Sequence, residues 1–202
     1  CNIGRIYRAM TLLLGMRPSD HEFKVMGLAA YNNFSYSKNA YEVFKNTLQN
    51  KGLGFDYKIK PKDHFFYFKE RLEGERFDSI AYGLQKRTEE LICEFVKNAI
   101  KHTNIGNIVL SGGVAQNIKA NQKILNMKGV KSLFIPPGPG DESISIGASY
   151  LINLKFNTDI NKGSKFSPYC GSFYSDNEIE KYISQLNSNK WSFRRTDDKE
   201  IA

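Results

Sequence analysis

The sequence is poor in cysteine, histidine and tryptophan, with three, three and one in 202 residues. Cys1, Cys93 and Cys170 are odd in number, far apart and without a CxxC pair, so neither a disulfide framework nor a cysteine zinc site is indicated, and they read as buried or surface thiols. No run of eighteen apolar residues exists that could cross a bilayer, and no Met-started signal segment opens the chain. No membrane partner is therefore expected, and the expected location is the cytoplasm. Also missing is a nucleic-acid-binding signature. The aromatic run HFFYFKER at 64–71 has no glycine-bearing RNA-recognition pattern around it, and the lysines are scattered singly. The net charge of +8 is accordingly assigned to solubility or to an anionic small substrate, not to nucleic acid.

What is present is an ordinary globular composition, 41% hydrophobic and 25% charged, enough for one core plus a fragment of a second. The chain starts at Cys1 rather than Met, and Ile3, Ile6, Tyr7, Met10, Leu13 and Leu14 recur at helical spacing over 3–15. These features lead to the expectation of a piece of a longer polypeptide. After a turn at 17–20 come HEFKVMGLAAYNN and a helix over about 38–50. Residues 51–76 have no clean period and read as a peripheral excursion with one short strand pair. Residues 77–102 place Ile80, Leu84, Leu91, Ile92, Phe95, Val96, Ala99 and Ile100 on one helical face. A strand at Ile108–Ser111, Gly112-Gly113, a helix over 114–127, a strand at Leu133–Ile135, the turn PPGPGDES and a helix over 143–155 follow. Alternation of this kind predicts an α/β layer whose ligands lie at the carboxyl ends of the strands.

Beyond Lys155 the texture becomes rich in Asn, Ser, Gly and Lys. The domain reading is a first unit over 1–160, a linker over 161–175 and the start of a second domain over 176–202, with a capped helix near Asp176 and a strand in KWSFRR.

Two turns carry the chemistry. In LSGGVAQN, Gly112 and Gly113 permit positive φ and close approach of a ligand to bare backbone, although strand-glycine-helix turns also arise from packing alone. In PPGPGDES, Asp141 stands at a helix start, where an acid serves as N-cap or as metal ligand. Both turns follow strands on the same rim, so Asn117 and Asp141 are expected to face a common crevice.

HEFKVMGLAAY, LSGGVAQN, PPGPGDESISIGA and SPYCGSFYSDNEI, in this order and covering about residues 1–180, resemble the NodU/CmcH-type O-carbamoyltransferases. The resemblance implies an actin-like, sugar-kinase-like (ribonuclease H-like) fold with a mixed sheet and flanking helices. This chain would be the C-terminal half of that domain plus the start of a second α/β domain resembling threonylcarbamoyl-adenylate synthases. It implies ATP and carbamoyl phosphate as substrates, a carbamoyladenylate intermediate, and a small hydroxyl-bearing acceptor such as a sugar or antibiotic precursor. Gly112 and Gly113 match the adenosine-binding turn, Asn117 the asparagine that bonds the adenylate, and Asp141 the acid that ligates a divalent metal, usually iron. The family's upstream histidine ligands match none of His21, His64 and His102. Those ligands would therefore lie outside this chain, which by itself would bind metal weakly and be inactive. Lys24, as a point charge toward phosphate or carboxylate, and Glu22, toward a ribose or acceptor hydroxyl, complete the implied site, with a solvated helix-edge pair as the plainer reading. Ala30 and Asn32 replace the family's proline and glycine, and DESISIGA carries serines where small residues are usual.

Three further features have structural readings beside functional ones. His21 is a general-base candidate or a surface histidine; residues 65–68 form an acceptor site or core; Gln85 and Cys93 need no role beyond packing or solvent contact. Two alternatives to carbamoyl transfer remain on fold grounds: a sugar-kinase-like phosphotransferase, and a non-catalytic nucleotide-binding module. A homodimer is possible for a chain that exposes apolar surface.

Overall fold

The computed structural model describes residues 2–156, 171–186 and 190–196. It divides into two compact units, residues 1–160 and 161–202. Cys1, Cys170 and most of the expected linker lie outside the described residues.

In the first unit the elements are α1 (Ile3–Leu13), α2 (Glu22–Leu28), α3 (Phe34–Thr47), β1 (Leu48–Asn50), β2 (Phe55–Tyr57), α4 (His64–Arg71), α5 (Phe77–Thr103), β3 (Asn107–Val109), α6 (Ile118–Leu125), β4 (Ser132–Phe134) and α7 (Ser143–Phe156). Short 3-10 turns occupy Ala29–Tyr31 and Gly113–Gln116.

α5 is the axis. Its apolar face buries Ile80, Leu84, Leu91, Ile92 and Val96, and Asn104, in the left-handed conformation that asparagine tolerates, ends it. α3 lies across α5 at Gly83, where a β-carbon would fall 2.7 Å from the Tyr41 nitrogen and 2.9 Å from the Ala40 carbonyl carbon. Glycine is required there by the closeness of two backbones rather than by an unusual φ. Ile6 and Met10 of α1, Val25 of α2 and Phe44 of α3 complete the core with Phe68 and Leu72. Phe44 and Phe68 rings stand 5.1 Å apart, and burying each such side chain contributes about 1.5–3 kcal/mol.

Phe68 corrects the reading of 51–76 as a peripheral excursion. Residues 64–71 are a helix capped by Asp63, whose side chain accepts from the Phe66 N–H, and one aromatic of the run is fully buried while Phe66 is exposed. Four aromatics in a row hide the helical period, which is why the sequence did not show it. The strand pair is present but starts earlier, at Leu48, antiparallel with Leu48 opposite Tyr57.

The mixed sheet is corrected too. Among the described residues the strands form two separate pairs, β1-β2 antiparallel and β3-β4 parallel. β3 and β4 are three residues each, and Gly106 lets the Gly129 carbonyl approach where any β-carbon would collide. α7 buries no residue: Ile144, Tyr150, Leu151, Ile152, Leu154 and Phe156 are all exposed, as are Val109 of β3 and Phe134 of β4.

In the second unit α8 (Asp176–Ser184) begins with a full capping box between Ser175 and Glu178, and its carboxylates at Asp176 and Glu180 both pair with Arg195. The expected strand at 190–195 has no regular structure, and no strand among the described residues of this unit accepts its backbone bonds.

Candidate functional site

The loop from β3 to α6 is held by glycine in the way the sequence anticipated, but packing is not the reason. Gly112 has φ +104°, a conformation L side chains rarely adopt, and a β-carbon at Gly112 or at Gly113 would meet nothing within 4 Å. Gly112 is thus a conformational glycine, and Gly113 is bare backbone facing open space. The Gly113 and Val114 N–H groups have no acceptor among the described residues. The helix expected from 114 starts instead as the 3-10 turn, and Asn117 caps α6 by accepting from the Ala120 N–H at 3.0 Å.

The two glycine turns are bonded to one another. The Gly112 N–H and the Ser111 hydroxyl both donate to the Pro139 carbonyl, and the Ser111 and Ser143 hydroxyls lie 2.9 Å apart. Ser143 also donates to the Gly140 carbonyl, so the first serine of DESIS holds the second turn. Asp141 is exposed and its side chain makes no hydrogen bond among the described residues, so it does not act as a side-chain cap of α7.

These turns face α1 and α2 across a cavity of about 510 Å3. Gly113, Asn117 and Asp141 line it from one side, Glu22, Phe23 and Met26 from α2, and Arg5, Tyr7 and Arg8 from α1. The structure therefore brings Gly113, Asn117, Asp141 and Glu22 together, and the common crevice expected for Asn117 and Asp141 exists. Glu22 is half-buried, and its Oε1 accepts from the Ser19 N–H at 2.7 Å. Gly112 lies behind this wall, shaping the turn without lining the cavity. Lys24 does not line it either. Two residues beyond Glu22, it is exposed, with its ammonium 3.0 Å from His21 Nε2 and over the Phe23 ring. His21 sits outside the cavity, its Nδ1 accepting from the Arg17 N–H. Asn32 has φ −135°, so no left-handed backbone was needed at the family's glycine, and its amide donates to Ser79.

Sequence reasoning missed Gln85. At 5% exposure it is the centre of a buried network beneath the cavity floor. Its Nε2 donates to Glu89 at 2.7 Å and to Asn117 Oδ1 at 2.9 Å, and its Oε1 accepts from the Tyr7 hydroxyl at 2.7 Å and from Asn117 Nδ2 at 2.9 Å. Lys123 of α6 pairs with the other oxygen of Glu89. Burial, reinforced by the Glu89 and Glu22 charges, pushes the Tyr7 hydroxyl pKa far above its usual value. The only sequence signal was a polar residue on the apolar stripe of a long helix.

The network fixes what Asn117 can do. A backbone N–H can only donate and a carboxylate can only accept, so Ala120 sets the orientation of the Asn117 amide and Glu89 that of Gln85. Asn117 Oδ1 is then committed twice, and one Nδ2 proton remains. Toward a ligand in the cavity this side chain, 8% exposed, offers a donor only.

No group of three His, Cys, Asp or Glu side chains suited to a metal ion occurs among the described residues, and Asp141 alone is a poor transition-metal site. The residues present do not by themselves fit the implied iron. No helix among the described residues is long and apolar enough to cross a membrane.

An uncharacterized protein of Methanocaldococcus jannaschii is 31% identical over 92% of this chain and 36% of its own length. The nodulation protein NolNO of Sinorhizobium fredii is 26% identical over 75% of this chain and 23% of its own. A tRNA N6-adenosine threonylcarbamoyltransferase of Borrelia hermsii is 33% identical over 44% of this chain and 27% of its own. The chain spans about a third of the length of the first curated relatives it matches. The family model described as the carbamoyltransferase N-terminus covers residues 1–150, a stretch that contains both glycine turns, α1, α2 and every residue lining the cavity, and the chain belongs to that family.

Proposed function

We propose that this chain supplies the adenylate-binding wall of an ATP-dependent O-carbamoyltransferase with an actin-like domain. The observation that carries the reading is the cavity itself: a bare glycine, a donor-only asparagine and unpaired backbone N–H groups converge on one side of it. Such a wall suits a ligand rich in acceptors, as a nucleotide is. Family membership and the printed name of the Borrelia hermsii relative support the carbamoyl group.

In the proposed reaction the acceptor hydroxyl oxygen bonds to the carbamoyl carbon of carbamoyladenylate. The bond from that carbon to the phosphate oxygen breaks, AMP leaves and the hydroxyl proton passes to solvent. This chain's part is to hold the adenylate: Gly113 admits it against the backbone, Asn117 donates to it, and Glu22 accepts from a ribose or acceptor hydroxyl. Carbamoyl phosphate and a hydroxyl-bearing acceptor such as a sugar are the proposed partners. The chain alone is expected to be inactive, its remaining partners lying on other parts of the longer polypeptide.

Titration of AMP into the full-length polypeptide containing this chain tests the reading. Gly113 has open space and ordinary backbone, so Gly113→Val folds and fills the cavity mouth. Loss of AMP binding with an unchanged melting temperature is expected; retention overturns the assignment. With ATP, carbamoyl phosphate and acceptor supplied, formation of AMP and pyrophosphate is expected, and ADP alone would favour phosphotransfer.

A further inference from the structure

The cavity walls carry two carboxylates, Glu22 and Asp141, which would repel the phosphoryl group of a nucleotide. An adenylate can settle there only if cations in the same cavity offset them. Lys24, the cation the sequence suggested, is turned away, and no other lysine is among the lining residues. The lining cations are Arg5 and Arg8 of α1.

Three residues apart, Arg5 and Arg8 share one face of α1. Both are exposed, and among the described residues neither guanidinium makes an ion pair or a hydrogen bond. This contrasts with Arg76, Arg87 and Arg195, which are all engaged by carboxylates. α1 itself is held rigidly, by Ile6 and Met10 in the core and by the Tyr7 bond to Gln85. Arg5 and Arg8, on a fixed helix, thus line the same cavity as Asn117 with its one uncommitted N–H, and the Arg5 charge is also felt at His64 of α4. Guanidinium forks match phosphoryl oxygens two by two, and a preorganised pair loses little freedom in binding.

We propose that Arg5 and Arg8 clasp the phosphoryl group of the nucleotide, and so set the preference of this site for a phosphorylated over an unphosphorylated adenosine. The assignment rests on the nucleotide reading given above. It gives to α1 the anion-binding role that the sequence assigned to Lys24.

The test compares adenosine and AMP binding by the full-length polypeptide containing this chain, as wild type, as the double variant Arg5→Gln, Arg8→Gln, and as Lys24→Gln. Neither arginine contributes to packing in the core, so the variants should melt as wild type does. Wild type and Lys24→Gln should bind AMP at least tenfold more tightly than adenosine. In the double variant AMP should fall to the level of adenosine, with adenosine binding unchanged. An AMP preference that survives in the double variant, or is absent from wild type, overturns the phosphoryl clasp and leaves the nucleotide reading standing. If folded wild type binds neither compound, the nucleotide reading falls and the clasp falls with it.

Discussion

Gln85 and Asn117 exchange two side-chain amide hydrogen bonds, each 2.9 Å, across 32 residues of sequence. The pair joins α5 to the cap of α6 directly below the glycine turn, and Tyr7 extends it to α1. All four hydrogen-bonding positions of the Gln85 amide are used. Replacing Gln85 by Leu would leave Tyr7, Asn117 and Glu89 each short of a buried partner, at a cost of about 1–3 kcal/mol. The denaturant midpoint should fall accordingly; an unchanged midpoint would show that water replaces the lost amide.

The α3–α5 crossing gives a paired prediction on glycine. Gly83→Ala drives a methyl against the backbone of Tyr41 and Ala40, so the helices must part, at about 1–3 kcal/mol. Gly27→Ala, within α2 and with open space at its β-carbon, should instead stabilise by about 0.5–1 kcal/mol. Thermal melting of the two variants should move in opposite directions, and a common direction would refute the crossing geometry.

Alkaline pH should weaken the fold. The Tyr7 pKa is raised by burial and then by Glu89 and Glu22, and that of Tyr41 is pushed up to about 12 by burial and by its hydrogen bond to Glu90. Below the ordinary tyrosine value of about 10 both folded and unfolded chains keep these protons, so the full stability is present. Above it the unfolded chain releases them while the folded chain resists, and stability is lost as pH rises toward the folded values. Urea midpoints between pH 9 and 11 should therefore fall, and Tyr7→Phe should flatten the decline. Equal slopes for variant and wild type would remove Tyr7 from the account.

The apolar face of α7 predicts association. With Leu151 and Leu154 exposed and no residue of the helix buried, the isolated 202-residue chain should self-associate as its concentration rises. Sedimentation of Leu151→Glu, Leu154→Glu should show less association at an unchanged melting temperature. Persistence of the same oligomer would place the contact elsewhere.

The sequence by itself determined the elements with a strong local signal. α1 and α5 follow from apolar spacing, α8 from its Ser-x-x-Glu cap, and the two turns from glycine and proline, because these depend on neighbours a few residues away. Four of the six nominated site residues, Glu22, Gly113, Asn117 and Asp141, line one cavity. Tertiary structure decided the rest. It left Lys24 off the cavity wall and put Arg5 and Arg8 on it, since helix position and not residue type selects which cation borders a cleft. It tied Gln85 into a buried network through partners up to 78 residues away, such as Tyr7, which no local pattern encodes, whereas the burial of Phe68 follows the core reading of 65–68. And it fixed Asn117 as a donor, because hydrogen-bond roles are allotted by the whole network rather than by any one side chain.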